Sequence, residues 1–260
     1  MRILFMGDIV GKPGRKTVKQ ALLPLIQENN IDLVIANGEN AAGGKGITPE
    51  VMEELFSLKI DILTSGNHIW DNKEVLKVID SEKRLVRPAN FPAEAPGKGA
   101  TIVKAGEHLV GIINLAGRVF MPPVDCPFQQ AEQEVALLER ITPIIIVDFH
   151  AEATSEKLAM GWLLKDRVSA VIGTHTHVQT ADDRIIPPRA AYISDVGMVG
   201  PYNSVLGLNP DMVLQQFLQG LPLKTELARG ECVMNAVLLN ISPADGKAIE
   251  IQRIFNKIYI

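Results

Sequence analysis

The segment Ile172-Gly173-Thr174-His175-Thr176-His177 sets two imidazoles one residue apart, directly after the apolar run 168–172. Such a run reads as a buried strand, and a sharp turn off its end brings both rings to one pocket. Neutral imidazole is a common ligand for transition metals, so the spacing marks a candidate metal site, although paired histidines also occur on plain surfaces. Other strand-like runs end in similar chemistry. Residues 144–149 lead into His150, and residues 60–64 lead into Ser65-Gly66-Asn67-His68. Residues 3–6 end at Gly7-Asp8, and residues 33–36 end at Asn37-Gly38-Glu39-Asn40. In open α/β sheets, sites form just outside the carboxyl ends of strands, so this coincidence is more specific than any one motif.

Asp8, Glu39, Asn40, Asn67, His150, His175 and His177 together offer a mixed oxygen and nitrogen ligand set. One ion rarely needs so many side chains. Two ions sharing a carboxylate use them well, and a pair about 3.5–4 Å apart clamps an in-line displacement at phosphorus. Mixed imidazole, carboxylate and amide donors suit Mn, Fe, Zn or Co better than Ca or Mg. No cysteine joins the set, which argues against a closed structural zinc site. His108 lies beside an expected turn at Gly106-Glu107 and reads as a surface residue. The loop 7–14 carries glycines and Lys12 but lacks the full Walker pattern, so it is not read as a P-loop and Lys12 reads as solvated.

The elements that must position these residues begin as strand–helix units. A strand at 2–6 precedes a helix ending near Asn29, a strand at 30–36 precedes a helix opening at Thr48-Pro49-Glu50, and a strand at 60–64 precedes a helix over 72–81. Three such units argue for a parallel sheet with right-handed crossovers. A stretch rich in Pro, Gly and Ala follows at 87–99, then a hairpin from 100–105 and 108–115. The long segment 116–128 reads as an active-site rim, a partner surface or a packed connector. Helices are expected at 129–140, 154–165 and Pro210–Gln219, and strands at 144–149, 168–172 and 189–194. The tail strands 230–242 and 247–258 meet at Pro243-Ala244-Asp245-Gly246, a hairpin signal. Parallel units followed by hairpins predict an α/β fold of two packed mixed sheets in one domain spanning 1–260. The Gly43-Gly44 loop and Ser194-Asp195 are further candidates to line the pocket.

Bulk properties narrow the function. The 260 residues are 47% hydrophobic, enough for a substantial core. A net charge of −4 gives no basic field, so no general nucleic-acid binding is expected. Cys126 and Cys232 form no ligand cluster and no disulfide framework, which fits a reducing cytosol. The N-terminal run reaches Asp8 too soon for a signal peptide, and no run approaches a membrane span. The expectation is a cytoplasmic protein without a membrane partner, whose apolar tail strands could form a homo-oligomer interface.

The ordered set Asp8, Glu39, Gly66-Asn67-His68, His150 and Gly173-Thr174-His175-Thr176-His177 resembles the calcineurin-like metallophosphoesterases. Their pattern is an early aspartate, an acidic residue after the second strand, Gly-Asn-His after the third, a lone histidine and then Gly-His-x-His. Three departures stand out. The usual Asp-x-His is Asp8-Ile9-Val10, the usual Gly-Asp is Gly38-Glu39-Asn40, and Thr174 is inserted before His175. With the opening Met-Arg-Ile-Leu-Phe-Met-Gly-Asp-Ile-Val-Gly, these look like the bacterial YmdB-type subgroup, which is associated with cyclic-nucleotide phosphodiesterase activity. The resemblance implies a four-layer αββα sandwich. It also implies one ion held by Asp8, Glu39, Asn40 and His177, and another by Glu39, Asn67, His150 and His175. Mn or Fe would be the metal, with Zn or Co as alternatives, and Asn40 could instead stand behind the ligands. Water activated by the ions would attack phosphorus in line, with His68 as general acid. The implied substrate is a small phosphodiester, a 2′,3′- or 3′,5′-cyclic nucleotide. A phosphomonoesterase, a protein phosphatase and a metal-bearing signalling scaffold are the alternatives.

Overall fold

The computed structural model describes residues 1–259. In chain order, β1 (Arg2–Met6) and β2 (Asp8–Ile9) precede α1 (Gly11–Asn29), β3 (Leu33–Asn37), α2 (Pro49–Ser57), β4 (Ile62–Thr64), a 3-10 turn (Lys73–Lys77) and β5 (Leu85–Val86). The hairpin β6 (Ala100–Ala105) and β7 (His108–Ala116) leads to α3 (Pro127–Leu138), β8 (Ile145–His150), α4 (Thr154–Leu164) and β9 (Ala170–Thr174). Three short strands follow, β10 (Arg184–Ile186), β11 (Ala190–Ile193) and β12 (Met198–Pro201). Then come α5 (Pro210–Gln219) and the long pair β13 (Cys232–Ile241) and β14 (Ala248–Ile258).

The layering follows from the two-residue period of the strands. In β1, Ile3 and Phe5 turn to one side and Leu4 and Met6 to the other, and all four are fully buried. A strand apolar on both faces needs cover on both. Leu4 and Met6 pack with Val18, Leu22, Met52 and Leu55 of α1 and α2. Ile3 and Phe5 meet Ile112, Ile146 and Ile172 of the opposite sheet. The outer face of that sheet, through Ile145, Val147 and Val171, packs on Val135 of α3 and Met160 of α4. Helix, sheet, sheet and helix are therefore stacked around three apolar layers, the αββα arrangement that the resemblance implies.

Both sheets are mixed. In the first, β1, β3, β4 and β5 run parallel, while β13 pairs antiparallel with β1, β12 and β14. In the second, β7, β8, β9 and β11 run parallel, with β6 and β10 antiparallel at the edges. Thr48 caps α2 as its spacing predicts, its side chain accepting from the Val51 amide, with Pro49 in the first turn. The segment 72–81 differs from expectation, forming only the 3-10 turn Lys73–Lys77. Within that turn Val75 is the one buried residue and Leu76 is 50% exposed, and Ile79 beyond it is buried as well, so the apolar residues are seated by a short turn without a full helix. β2, β5, β10 and β12 are additional to the predicted strands.

Candidate metal centre

The inter-sheet face of the strands changes character toward their carboxyl ends. Along β3 it reads Leu33, Ile35, Asn37; along β8, Ile146, Asp148, His150; along β9, Ala170, Ile172, Thr174. The apolar members belong to the core between the sheets. The polar members close that layer at one end, and all four are fully buried. Asp8 and Glu39, also fully buried, come from β2 and from the loop after β3.

His150 lies at the centre. Its Nε2 is 2.8 Å from Glu39 Oε1, and its Nδ1 is 2.8 Å from Thr174 Oγ1. Thr174 donates its only hydroxyl proton to Asp148 Oδ1 at 2.7 Å. It must therefore accept from His150 Nδ1–H, which leaves the Nε2 lone pair facing inward. Asn37 donates to Asp148 Oδ2 at 3.1 Å and completes the chain. His175 Nδ1 is 3.0 Å from His150 Nε2, while its Nε2 lies 3.2 Å from Glu152 Oε2. His177 Nδ1 donates to the Leu206 carbonyl at 3.1 Å, leaving Nε2 3.8 Å from Asp8 Oδ1. His150 and His177 thus each have one nitrogen held from behind, while the His175 ring lies between His150 and Glu152. Gly66 lies flat against this group, since a Cβ there would run into His150 and Glu39.

The titrations reflect the crowding. Burial pushes the Asp8 carboxyl up, against the pull of His177 and His150. Burial also opposes the Glu39 charge, but His150 outweighs it and holds that carboxyl at about 2. The reciprocal effect raises His150 to about 9 in spite of its burial. His175, desolvated and next to the His150 charge, falls to about 3. Burial lifts Asp148 to about 7.

The residues fit a metal. One ligand atom each from Glu39, His150 and His175 lies within 4.8 Å of the others. Asp8 Oδ1 and Asn67 Oδ1 are buried and have no hydrogen-bond partner. A buried acceptor without a donor costs about 1–3 kcal/mol, and a cation beside it removes that cost. Asn40 turns its amide nitrogen toward Glu39 Oε1 (3.3 Å) and His177 Nε2 (3.2 Å), which is the pose of a hydrogen-bond donor. It would ligate through oxygen only with the amide turned over.

His68 stands apart from the cluster and lines the 530 Å³ cleft above it, together with Glu39, Asn40, His175, His177 and the Gly43-Gly44 loop. Its backbone amide donates to Glu39 Oε2 at 3.0 Å, and its Nδ1 lies 2.9 Å from Asp71 Oδ2. Ser194 and Asp195 do not line this cleft. Asp195 is buried behind the His175–His177 loop, where it accepts from Lys157 Nζ (2.7 Å), the Thr176 amide (2.9 Å) and the Gly197 amide (2.8 Å). The segment 116–128 is tied down along its backbone and does not line this cleft. Residues 121–124 line a 260 Å³ pocket with Asn67 and Trp70, while Asn90 and Glu156 tie its backbone down. His108 is exposed at the β6–β7 turn, as expected.

Asp71, Asp148, Glu152 and Lys157 contact the candidate site residues or the groups that hold them, and the sequence reading does not single them out. Asp148 does leave a trace in the sequence, as an acid inside the apolar run Ile145-Ile146-Val147-Asp148-Phe149.

The chain is similar to several known proteins. A Bacillus subtilis (strain 168) protein named 2′,3′-cyclic-nucleotide 2′-phosphodiesterase is 49% identical over 254 residues, covering 98% of this chain and 96% of that one. The crystal structure of a phosphatase from Mycoplasma pneumoniae superposes with a TM-score of 0.93 at 35% identity, over 99% of this chain and 93% of that one. A Thermus thermophilus protein gives 0.92 at 40% identity, over 99% of both chains. The YmdB-like protein family matches residues 4–254, and the chain belongs to that family of hydrolases.

Proposed function

We propose that this chain is a dinuclear metal-dependent phosphodiesterase acting on small phosphodiesters, with cyclic nucleotides, 2′,3′ or 3′,5′, as its substrates. The observation that carries this reading is the buried, partnerless Asp8 Oδ1, which lies 3.8 Å from His177 Nε2 and 3.9 Å from His150 Nδ1 beside the Glu39, His150 and His175 group. Asp8, Glu39, Asn40 and His177 would hold one ion, and Glu39, Asn67, His150 and His175 the other. The donor chemistry suits Mn or Fe, with Zn or Co also accommodated. When bound, such ions activate water and neutralise charge on the phosphoryl oxygens.

This chain's own residues do the rest. Asp71 engages His68 Nδ1 and leaves Nε2 toward the cleft, where it can donate a proton to the departing oxygen. Asp148 and Thr174 keep the His150 ring in one tautomer and one orientation. The 530 Å³ cleft falls in the size range of small-molecule sites, and the named activity of the Bacillus relative points to the cyclic nucleotide. The apolar layer shared by both sheets supports reading the chain as one catalytic domain. The unpaired Cys126 and Cys232 support a reducing compartment such as the cytoplasm.

The test is elemental analysis of protein purified without added metal, with hydrolysis of 2′,3′-cyclic AMP and bis-p-nitrophenyl phosphate measured in Mn²⁺. About two ions per chain with turnover of both diesters is the expected result. A protein that binds no metal and turns over neither diester with Mn²⁺ present rules the reading out.

A further inference from the structure

A second hollow, of 560 Å³, adjoins the metal cleft, and the two share a wall at His177 and Leu206. The wall is fixed in place. His177 donates to the Leu206 carbonyl, and both residues hold positive φ, 64° and 53°. Non-glycine residues stay in that region only where their surroundings determine it, and such positions cluster at ligand sites. Two residues past His177, the Gln179 side chain donates to the carbonyls of Val196, Ala236 and Ile254, which pins this loop to β13 and β14.

The chemistry of the hollow differs from that of the cleft. Its outer side is aromatic, with Tyr202 and Phe255 in an edge-to-face pair at 5.8 Å. Phe255 is 51% exposed. Arg253, the one arginine or lysine among the described lining residues, is engaged with Asp183 at 2.6 Å. Lys257 Nζ lies 3.7 Å from the Tyr202 ring centroid and is itself engaged by Glu231, so the hollow presents no unpaired cation to a phosphate. A flat, uncharged ring suits it, because the exposed Phe255 ring offers a face on which a base stacks.

We propose that this hollow is the nucleobase subsite. The phosphodiester lies over Asp8, Glu39 and the histidines, and the base extends past His177 to pack on Phe255. The proposal rests on the cyclic-nucleotide reading and names the residue through which that substrate is recognised.

The test compares 2′,3′-cyclic AMP with methyl p-nitrophenyl phosphate, a diester without a base, in wild type and Phe255→Ala, each with Mn²⁺. The ratio of the two kcat/KM values should fall about tenfold in the variant, chiefly through KM for the nucleotide. Phe255→Ala removes a half-exposed ring, so the fold is kept and the ratio reads the contact. An unchanged ratio in Phe255→Ala overturns the subsite. Adenosine binding, followed by saturation-transfer NMR, separates the two readings. If wild type hydrolyses neither diester yet binds adenosine in a Phe255-dependent way, the catalytic reading fails and the subsite stands. If wild type does not bind adenosine, the subsite is overturned.

Discussion

A histidine's role depends on what its two nitrogens touch. His68 Nδ1 is engaged by Asp71, and His68 meets Glu39 through its backbone amide, so its ring stays outside the cluster. His68→Ala should lower diester turnover by about 10²–10⁴-fold, the usual share of a general acid, while metal content by elemental analysis stays at the wild-type level. Activity that survives the change would assign the proton to another group. Protons should also compete with the metal. In the metal-free protein His150 is held at about 9 by the Glu39 carboxylate, so near neutral pH it carries a proton that an incoming ion must displace. Below about 9, apparent Mn²⁺ affinity should therefore fall roughly tenfold for each pH unit lowered, per proton displaced. Titration of chelator-treated protein at two pH values checks this, and equal affinities would refute it. The ligand candidates were legible in the sequence because each ends an apolar run. Asp148 and Glu152 were not, because their roles exist only once different strands and loops meet. Thr174, in sequence only an inserted residue, is the acceptor that fixes the His150 tautomer.

The loop that carries His175 and His177 is held by a buried ion pair from another element. Lys157 of α4 and Asp195 after β11 are 2% and 1% exposed, and Asp195 also receives the Thr176 amide and hydroxyl. Breaking such a pair by removing one partner leaves an uncompensated buried charge and costs about 3–5 kcal/mol. For a chain of this size, Lys157→Met should then lower Tm by roughly 10 °C in a thermal melt. A change under about 2 °C would show that the Thr176 and Gly197 contacts alone satisfy the carboxylate. This pair was hidden in the sequence, because Lys157 sits in an ordinary helical stretch and its burial depends on where α4 packs. Long elements were readable for the opposite reason. α5 and the β13–β14 hairpin carry caps, prolines and a turn signal within their own residues. β2, of two residues, and β12, of four, have too few positions for any periodicity. They form because β13 extends beyond β1 and leaves backbone for β12 to pair with, and β2 then pairs with β12.

At the scale of the molecule, the candidate centre lies where the two sheets come together. Asp8 and Glu39 belong to the first sheet and its loops, while His150, His175 and His177 belong to the second. The core between the sheets holds them together along most of their length, but at this end apolar side chains give way to Asn37, Asp148, His150 and Thr174. Metal-free, that end keeps partnerless oxygens and opposed titrations, with Asp8 driven up and His175 driven down to about 3. Ions bound there would join the sheets and relieve both. A ligand that binds only the folded state at a hundred times its Kd adds about 2.7 kcal/mol. For a protein of this length that gain corresponds to a Tm increase of roughly 5–10 °C. Thermal unfolding with Mn²⁺ against chelator should show that gap. Hydrogen exchange should place the gain in protection at the carboxyl ends of β3, β8 and β9 and leave α5 and β14 unchanged. Equal melting temperatures, or protection spread evenly over both sheets, would show that the ligand set does not clamp the sheets and that the apolar layer alone holds them in register.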